Sequence, residues 1–179
     1  MVPFVTAGDV KTSLVELIRD LPMSRRILAF CNTVKEAKVF ARLLNDAGIA
    51  ADHYNGGTPS KDRHGILHRF QSGPANGGFR VLVTVDVLSE GVDLPVADTC
   101  LFVEPRRGLR LRQCVGRVLR SHVDKVDALV IAPPVVQKAD GGLEEDAQLV
   151  RLLSEMAGAD AELQGALAGE GAKHRISLL

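Results

Sequence analysis

Aromatic side chains are scarce in this chain: they make up 4% of 179 residues, with six phenylalanines, one tyrosine and no tryptophan. Proteins that stack nucleic-acid bases do so on exposed aromatic rings, and several of these phenylalanines fall in stretches predicted to be core. The composition therefore excludes a base-stacking platform. Any contact with nucleic acid is expected to go through phosphates, with little sequence preference.

The sequence also lacks a run of about 18 apolar residues, and its start has no basic stretch followed by a long apolar one. From these absences we expect a chain that is neither inserted into a membrane nor secreted. The three cysteines occur singly, at Cys31, Cys100 and Cys114, without the close pairs of zinc sites or disulfide frameworks. We expect reduced core residues in an intracellular protein, which is cytoplasmic or, in a eukaryote, nuclear.

Net charge is absent as well, because 22 Lys and Arg residues balance 22 Asp and Glu residues. No global field draws the chain to nucleic acid or to a membrane. The charges are nevertheless unevenly placed, with arginines crowded into residues 106–120 and acidic residues into 140–155. An anion site is therefore expected in the arginine segment.

What the sequence does contain is an alternation of short apolar runs and helical patterns. The apolar runs are typical of strands, most of them buried on both faces; they cover residues 27–31, 49–54, 81–85, 101–103 and 128–131. Helix signals stand between them. Thr33 and Glu36 form a capping box and Gly48 ends that helix, while Thr58 supplies a capping hydroxyl before Pro59 for the next.

This alternation predicts an α/β fold with three layers, in which a mainly parallel sheet is covered by helices on both faces. The predicted organisation has three parts. Residues 1–25 form a lead-in with a helix at 13–21, residues 26–135 form the α/β lobe, and residues 136–179 form a helical extension that begins with a helix at 143–156.

Ligands of such sheets collect outside the carboxyl ends of the strands, so we expect function in the residues that follow each strand. Residues 84–95 follow one strand and hold a hydroxyl group, three carboxylates and a glycine. A helix predicted at 109–120 follows the next, and its rotation of about 100° per residue gives it one polar face. That face carries Arg110, Gln113, Arg117 and Arg120, with Gly116 on its flank.

Arginine suits a phosphate site because its planar guanidinium group makes bidentate contacts and stays charged. A glycine beside the arginines lets another surface approach closely. The alternative is a solvated, charged helix face without a ligand.

Two of these segments resemble motifs of superfamily two helicases. Residues 84–95 resemble motif V, and motif VI is matched by Gln, two residues, Gly-Arg, two residues and Arg at 113–120. Residues 27–44 resemble motif IV, and residues 54–57 with Arg63 and Phe70 resemble the segment that follows. The resemblance covers residues 26–133. Its motif VI is more similar to restriction translocases and excision-repair helicases than to DEAD-box RNA helicases, which favours DNA over RNA.

The resemblance implies the C-terminal RecA-like lobe of an ATP-driven motor, with ATP and Mg²⁺ bound mainly by an amino-terminal lobe. It implies that Arg117 and Arg120 act on the γ-phosphate and that Gln113 couples the lobes. The residues implied to contact nucleotide are Glu90, Gly91, Asp93 and Gly116. The residues implied to contact nucleic-acid phosphates are Asn32, Thr33 and Thr84.

The chain lacks the phosphate-binding loop Gly-x-x-x-x-Gly-Lys-Ser/Thr and the acidic magnesium motif of the first lobe. We therefore expect this chain alone to bind ATP poorly and to hydrolyse none. Two alternatives stay open. One is a non-catalytic module of the same fold that binds nucleic acid or protein, and the other is a small α/β enzyme, which would need a complete site within this chain.

Weaker signals favour structural roles. His64 and His68 are four residues apart, but Gly65 stands where a metalloprotease motif needs Glu, and no third ligand is evident, so no metal site is predicted. A catalytic pair of Glu90 and Asp93 would need two separated environments. Cys114 lies on the apolar side of its helix, which indicates packing rather than reactivity.

Overall fold

The computed structural model describes residues 10–74, 78–85, 92–104, 109–118, 120, 122–123, 125–131, 135–137 and 143–145. Their elements are α1 (Val10–Asp20), β1 (Arg25–Phe30), α2 (Val34–Asp46), β2 (Ala50–Tyr54), α3 (Ser60–Ser72), β3 (Phe79–Thr84), β4 (Thr99–Phe102), α4 (Leu109–Val118), β5 (Leu129–Ile131), β6 (Val135–Gln137) and β7 (Leu143–Glu145). Within these ranges no helix has the length and apolar character that crossing a membrane requires.

Five parallel strands form the central sheet in the order β2-β3-β1-β4-β5. Because all five run the same way, the sheet has an amino edge, where every strand begins, and a carboxyl edge, where every strand ends. β1 lies in the middle, with β3 on one side and β4 on the other. This arrangement confirms the predicted parallel sheet.

Helices cover both faces of the sheet, and the alternation of side chains along each strand assigns the faces. On one face, β1 residues Leu28 and Phe30 lie in an apolar cluster with buried side chains of α3 and α4. On the other, Ile27 and Ala29 lie in a second cluster with α1 and α2. The fold therefore has the three predicted layers, and α1 packs within the second cluster.

Helix α2 ends as its sequence predicts. Gly48 has a φ of 80°, and its N–H donates to Asn45 O at 2.9 Å while the N–H of Ile49 donates to Leu44 O at 2.8 Å. This pair of bonds is the Schellman motif, which needs a left-handed residue that glycine supplies without strain.

The predicted capping box at the start of α2 is only half formed. Thr33 Oγ1 accepts the N–H of Glu36 at 3.2 Å, as an N-cap residue should. The Glu36 carboxylate instead pairs with Lys11 Nζ on α1, at 2.6 Å. An ion pair between two helices has replaced the reciprocal bond.

Thr58 does not cap α3, and this prediction is wrong. Pro59 is the N-cap residue and makes no side-chain cap hydrogen bond. Thr58 Oγ1 accepts the N–H of Asn55 at 2.9 Å, which closes the preceding turn. A threonine hydroxyl can stabilise either a turn or a helix start. Here the Thr58 hydroxyl stabilises the turn.

The remaining differences concern element ends. Helix α4 stops at Val118, two residues before the predicted end. Residues 143–145 form strand β7, paired antiparallel with β6, so the helix predicted from residue 143 is wrong in its first turn. The rest of that helix lies outside the described residues.

An ion network ties the amino edge together. Arg25 Nη1 and Nη2 donate to the Asp127 carboxylate at 2.5 and 3.1 Å, and Asp98 receives the N–H of Arg26 at 3.1 Å and the hydroxyl of Thr99 at 2.8 Å. Burial raises the pKa of the Asp98 carboxyl above its ordinary value, and these hydrogen bonds oppose the shift. The network joins the starts of β1, β4 and β5.

Candidate functional site

The structure separates the candidate residues into two groups. Asn32, Thr33 and Thr84 lie at the carboxyl edge, where β1 and β3 end. Arg117, in the last turn of α4, and Arg120, just beyond it, lie toward the amino edge, because β4 and β5 are parallel and the helix between them must run back. Of the two groups, only the first therefore lies at the strand ends, where the sequence analysis expects function.

Both motif VI arginines contact one short segment of the connection between β3 and β4. Arg117 Nη1 donates to the backbone O of Val92 at 2.8 Å, and Arg120 Nη1 donates to Asp93 Oδ1 at 2.7 Å. We call Val92, Asp93, Arg117 and Arg120 the arginine turn. The polar loop and the segment at the end of α4, which are separate stretches of the sequence, touch here.

The two contacts differ in exposure. Arg117 is half-buried, whereas the side chains of Arg120 and Asp93 are 54% and 64% exposed. An exposed ion pair contributes about 0–1 kcal/mol to stability. Little free energy therefore holds Arg120 on Asp93, and its guanidinium group faces solvent.

Helix α4 has the predicted two faces. Cys114, Val115 and Val118 are fully buried in the apolar cluster beneath it, which confirms Cys114 as a packing residue. Gln113 and Gly116 are exposed, and a Cβ atom built on Gly116 would meet no other heavy atom within 4 Å. The exposed face is open enough for another body to approach.

Lys125 holds the end of α4, and the sequence interpretation missed it. Its Nζ donates to the backbone O of Val118 at 2.5 Å and of Arg120 at 2.6 Å. Burial lowers the pKa of Lys125, and the nearby charge of Asp98 opposes that shift. A lysine shortly after a helix is a known partner for its last carbonyl groups, so the spacing carried a usable signal.

At the carboxyl edge, Glu104 was also missed. Its Oε2 accepts the backbone N–H of Asn32 at 2.5 Å, so a carboxylate already occupies a donor expected to meet phosphate. Asn32 and Thr33 are exposed. Thr84 is 1% exposed, so among the three it is the least accessible to a ligand.

Arg63 organises the loop that follows β2. Its Nε donates to Thr58 O at 2.8 Å and its Nη2 to Gly56 O at 2.9 Å. The same loop is closed by the N–H of Gly57, which donates to Asn55 Oδ1 at 2.8 Å. Arg63 therefore acts on the shape of this loop rather than facing solvent as a free cation.

The structure describes some of the remaining candidate residues and not others. Glu90 and Gly91 lie outside the described residues. His64 and His68 are both exposed on α3, with ring centroids 6.3 Å apart. In the part of the chain that the structure describes, no three His, Cys, Asp or Glu residues are grouped so that they could hold a metal ion.

Comparison of sequences places the chain among helicases. It matches the model of the family "Helicase conserved C-terminal domain" over residues 10–122. ATP-dependent RNA helicase DbpA of Escherichia coli (strain K12) is 33% identical over 138 residues, which are 76% of this chain and 29% of DbpA. UvrABC system protein B of Kosmotoga olearia is 26% identical over 146 residues, which are 78% of this chain and 21% of that protein.

Solved structures share the fold. The ATP-dependent Type ISP restriction-modification enzyme LlaBIII bound to DNA superposes with a TM-score of 0.63 at 16% identity, over 98% of this chain and 14% of that one. The C-terminal domain of the DEAD-box protein Dbp5 gives 0.58 at 17% identity, over 95% and 83%. At these identities the likeness shows the RecA-like fold alone.

The chain spans less than a third of the length of the two curated relatives just described, at 29% and 21%. The family model, in contrast, covers most of this chain, and it includes α1, the sheet through β4 and the whole of α4. This chain therefore belongs to the helicase conserved C-terminal domain family, the second lobe of superfamily two helicases.

Proposed function

We propose that this chain is the C-terminal motor lobe of an ATP-dependent DNA helicase or translocase. In this role it supplies Arg117 and Arg120 as arginine fingers to ATP bound by an amino-terminal lobe. The observation that carries the proposal is the arginine turn, in which both guanidinium groups meet at one partly exposed segment.

The chemistry needs such groups. A phosphoryl transition state spreads negative charge over its equatorial oxygens, and an arginine finger accelerates transfer by about 10³- to 10⁵-fold. At about 1.4 kcal/mol for each factor of ten, this is roughly 4–7 kcal/mol of transition-state stabilisation. The exposed Arg120–Asp93 ion pair contributes about 0–1 kcal/mol. This is less than the stabilisation that Arg120 would give to the transition state.

Asp93 therefore holds Arg120 between turnovers and gives it up when nucleotide arrives. Arg117 donates to the backbone carbonyl group of Val92, which keeps it beside Asp93. Gln113 and Gly116, exposed on the same helix, are proposed to meet the amino-terminal lobe, and Glu90 and Gly91 to contact the nucleotide.

Mg²⁺ and most of the triphosphate are assigned to the amino-terminal lobe. The described residues offer no metal-ligand cluster, and the sequence has no phosphate-binding loop. This chain's own part is the supply of cationic groups and of a surface that closes on the nucleotide. Alone, it is expected to hydrolyse no ATP.

The proposed nucleic-acid contacts lie at the carboxyl edge. Thr33 and Asn32 are the proposed phosphate contacts at the start of α2, and the backbone N–H of Asn32 must first leave the Glu104 carboxylate. Thr84, which is 1% exposed, is the third proposed contact and the least accessible. DNA is proposed because motif VI starts with Gln113 rather than with the His-Arg of DEAD-box RNA helicases. DbpA, however, is an RNA helicase, so RNA is the competing outcome.

The test uses a two-lobed protein that carries this chain. Arg117→Ala and Arg120→Ala are each expected to lower kcat for ATP by about 10³- to 10⁵-fold, with nucleic-acid affinity changed little. Arg42→Ala is the matched control, because Arg42 is an exposed arginine on α2, remote from the arginine turn in sequence. ATPase activity that resists both substitutions contradicts the proposal.

Stimulation by nucleic acid identifies the substrate class. ATP turnover is measured with single-stranded DNA, duplex DNA and RNA of one sequence at equal ionic strength, since phosphate contacts weaken with salt. Stronger stimulation by DNA supports the proposal, and stronger stimulation by RNA moves the assignment to RNA. Binding without any ATPase in the two-lobed protein favours the non-catalytic module.

A further inference from the structure

The end of α4 receives two hydrogen bonds from a single ammonium group. The last four carbonyl groups of an α-helix have no partner within the helix, and Val118 is the last residue of α4. Lys125 Nζ donates to the O of Val118 at 2.5 Å and to the O of Arg120 at 2.6 Å. One side chain therefore fixes both the helix end and the backbone of Arg120.

This contact is costly for a lysine. Lysine side chains ordinarily keep the ammonium group in water while the alkyl stem lies on apolar surface. Lys125 is half-buried, and its lowered pKa reflects the loss of water around the charge. The negative end of the helix dipole and the charge of Asp98 offset part of that cost.

The position of the contact matters more than its strength. Arg120 reaches Asp93 with its side chain at 2.7 Å while Lys125 holds its backbone carbonyl group. Arg120 lies beyond the helix end, so the helix itself supplies no backbone restraint there. Lys125 supplies one, through its hydrogen bond to the carbonyl group of Arg120.

We propose that Lys125 is a positioning residue that holds the backbone of Arg120 in place for the γ-phosphate. The inference rests on the proposed function, because it concerns the same arginine. A misplacement of about 1 Å in a catalytic group can cost a factor of about 10² in rate. Lys125 thus acts on kcat through Arg120, with little effect on how tightly ATP binds.

The experiment is a double-mutant cycle in the two-lobed protein, read by single-turnover ATP hydrolysis and by steady-state kcat and KM. Lys125→Met removes both hydrogen bonds and keeps an unbranched side chain that is one atom shorter. We expect a fall in kcat of about 10- to 100-fold, with KM for ATP within about twofold. Lys38→Met, at an exposed lysine of α2, is the matched control and should leave both unchanged.

Two further variants separate positioning from folding. Lys125→Arg can still donate to two carbonyl groups, so it should restore most of kcat. In the Arg120→Ala background, Lys125→Met should lower the residual rate no further, because the group it positions is gone. Urea unfolding of each variant shows what fraction is folded, and rates are compared per folded molecule.

Each outcome decides between the two claims. If Arg120→Ala abolishes ATPase activity but Lys125→Met behaves like Lys38→Met, only the inference fails. If Lys125→Met lowers the rate equally with and without Arg120, its role is structural and the inference also fails. If Arg120→Ala leaves ATPase activity intact, the proposed function fails and takes the inference with it.

Discussion

Two arginine–aspartate pairs in this chain have similar shortest N–O distances and opposite surroundings. Arg25 and Asp127 are 2.5 Å apart with side chains 7% and 23% exposed, and Arg120 and Asp93 are 2.7 Å apart with side chains 54% and 64% exposed. Burial commits Arg25 to its carboxylate, since releasing it would leave a charge without water. Exposure leaves Arg120 free to change partner.

The comparison shows how one residue type serves two purposes. At the amino edge, Arg25 contacts Asp127 with two nitrogen atoms and adds to the hydrogen bonds that join strand starts. In the arginine turn, Arg120 has one exposed contact at the end of a helix. Arg25 is buried and joins strand starts, whereas the exposed contact of Arg120 leaves that side chain available for the ligand proposed above.

The largest expected effect is on the free energy of unfolding, which a substitution in the Arg25 pair should lower more than one in the Arg120 pair. Arg25→Met should lower the free energy of unfolding by up to about 3–5 kcal/mol, because it leaves the half-buried carboxylates of Asp98 and Asp127 without their cation. Arg120→Ala should lower it by at most about 1 kcal/mol, although ATPase activity collapses. Urea unfolding of the isolated chain measures both, provided that the unfolding is two-state. Equal stability losses would remove the distinction between the pairs.

A smaller effect is expected at Gly116, on the exposed face of α4. A Cβ atom there has open space, and alanine is favoured over glycine within a helix by about 1 kcal/mol. Gly116→Ala should therefore raise the stability of the isolated chain by up to that amount. In the two-lobed protein it should lower ATPase activity, because the methyl group would stand on the face that we propose meets the other lobe.

The opposite signs make this variant informative. Gly56→Ala serves as a control, since Gly56 is an exposed glycine outside α4, in the loop after β2, where an added Cβ also meets nothing within 4 Å. If Gly116→Ala leaves the ATPase of the two-lobed protein unchanged, no surface comes close to that face of α4. Lower stability would instead mean that the helix is strained at that position.

The sequence predicted features that depend on local chemistry. Gly48 ends α2 because a left-handed residue is needed there, and the alternation of apolar runs with helices predicts the parallel sheet. The roles proposed for Arg117 and Arg120 come from resemblance to a helicase motif. Their contacts with Val92 and Asp93 needed the structure, because the two segments are more than twenty residues apart.

What the sequence missed depends on competition between partners. Thr58 could cap α3 or close the preceding turn, and Glu36 could complete a capping box or pair with α1. The two possible partners of each side chain differ by about 1 kcal/mol in the stability they provide. Tertiary contacts therefore decide which partner is chosen. Lys125 and Glu104 were missed because their partners come from other elements.

The smallest expected effect is a pH dependence of stability that originates at Lys125. The burial of Lys125 is intermediate between that of Arg25 and that of Arg120. Burial lowers the pKa of folded Lys125 below its ordinary value of 10.5, whereas the unfolded chain keeps that value. Between the two pKa values the unfolded state binds more protons, so this residue makes the fold more stable as pH rises through that window.

The comparison of wild type with Lys125→Met isolates this contribution, because other groups that titrate at alkaline pH are common to both. Urea unfolding from neutral pH to above 10.5 should show the stability of wild type rising relative to the variant as the folded lysine loses its proton. A flat difference would mean that the ammonium group is fully hydrated and not held at the end of α4. Lys125 would then resemble the exposed Arg120–Asp93 pair rather than the buried pair of Arg25.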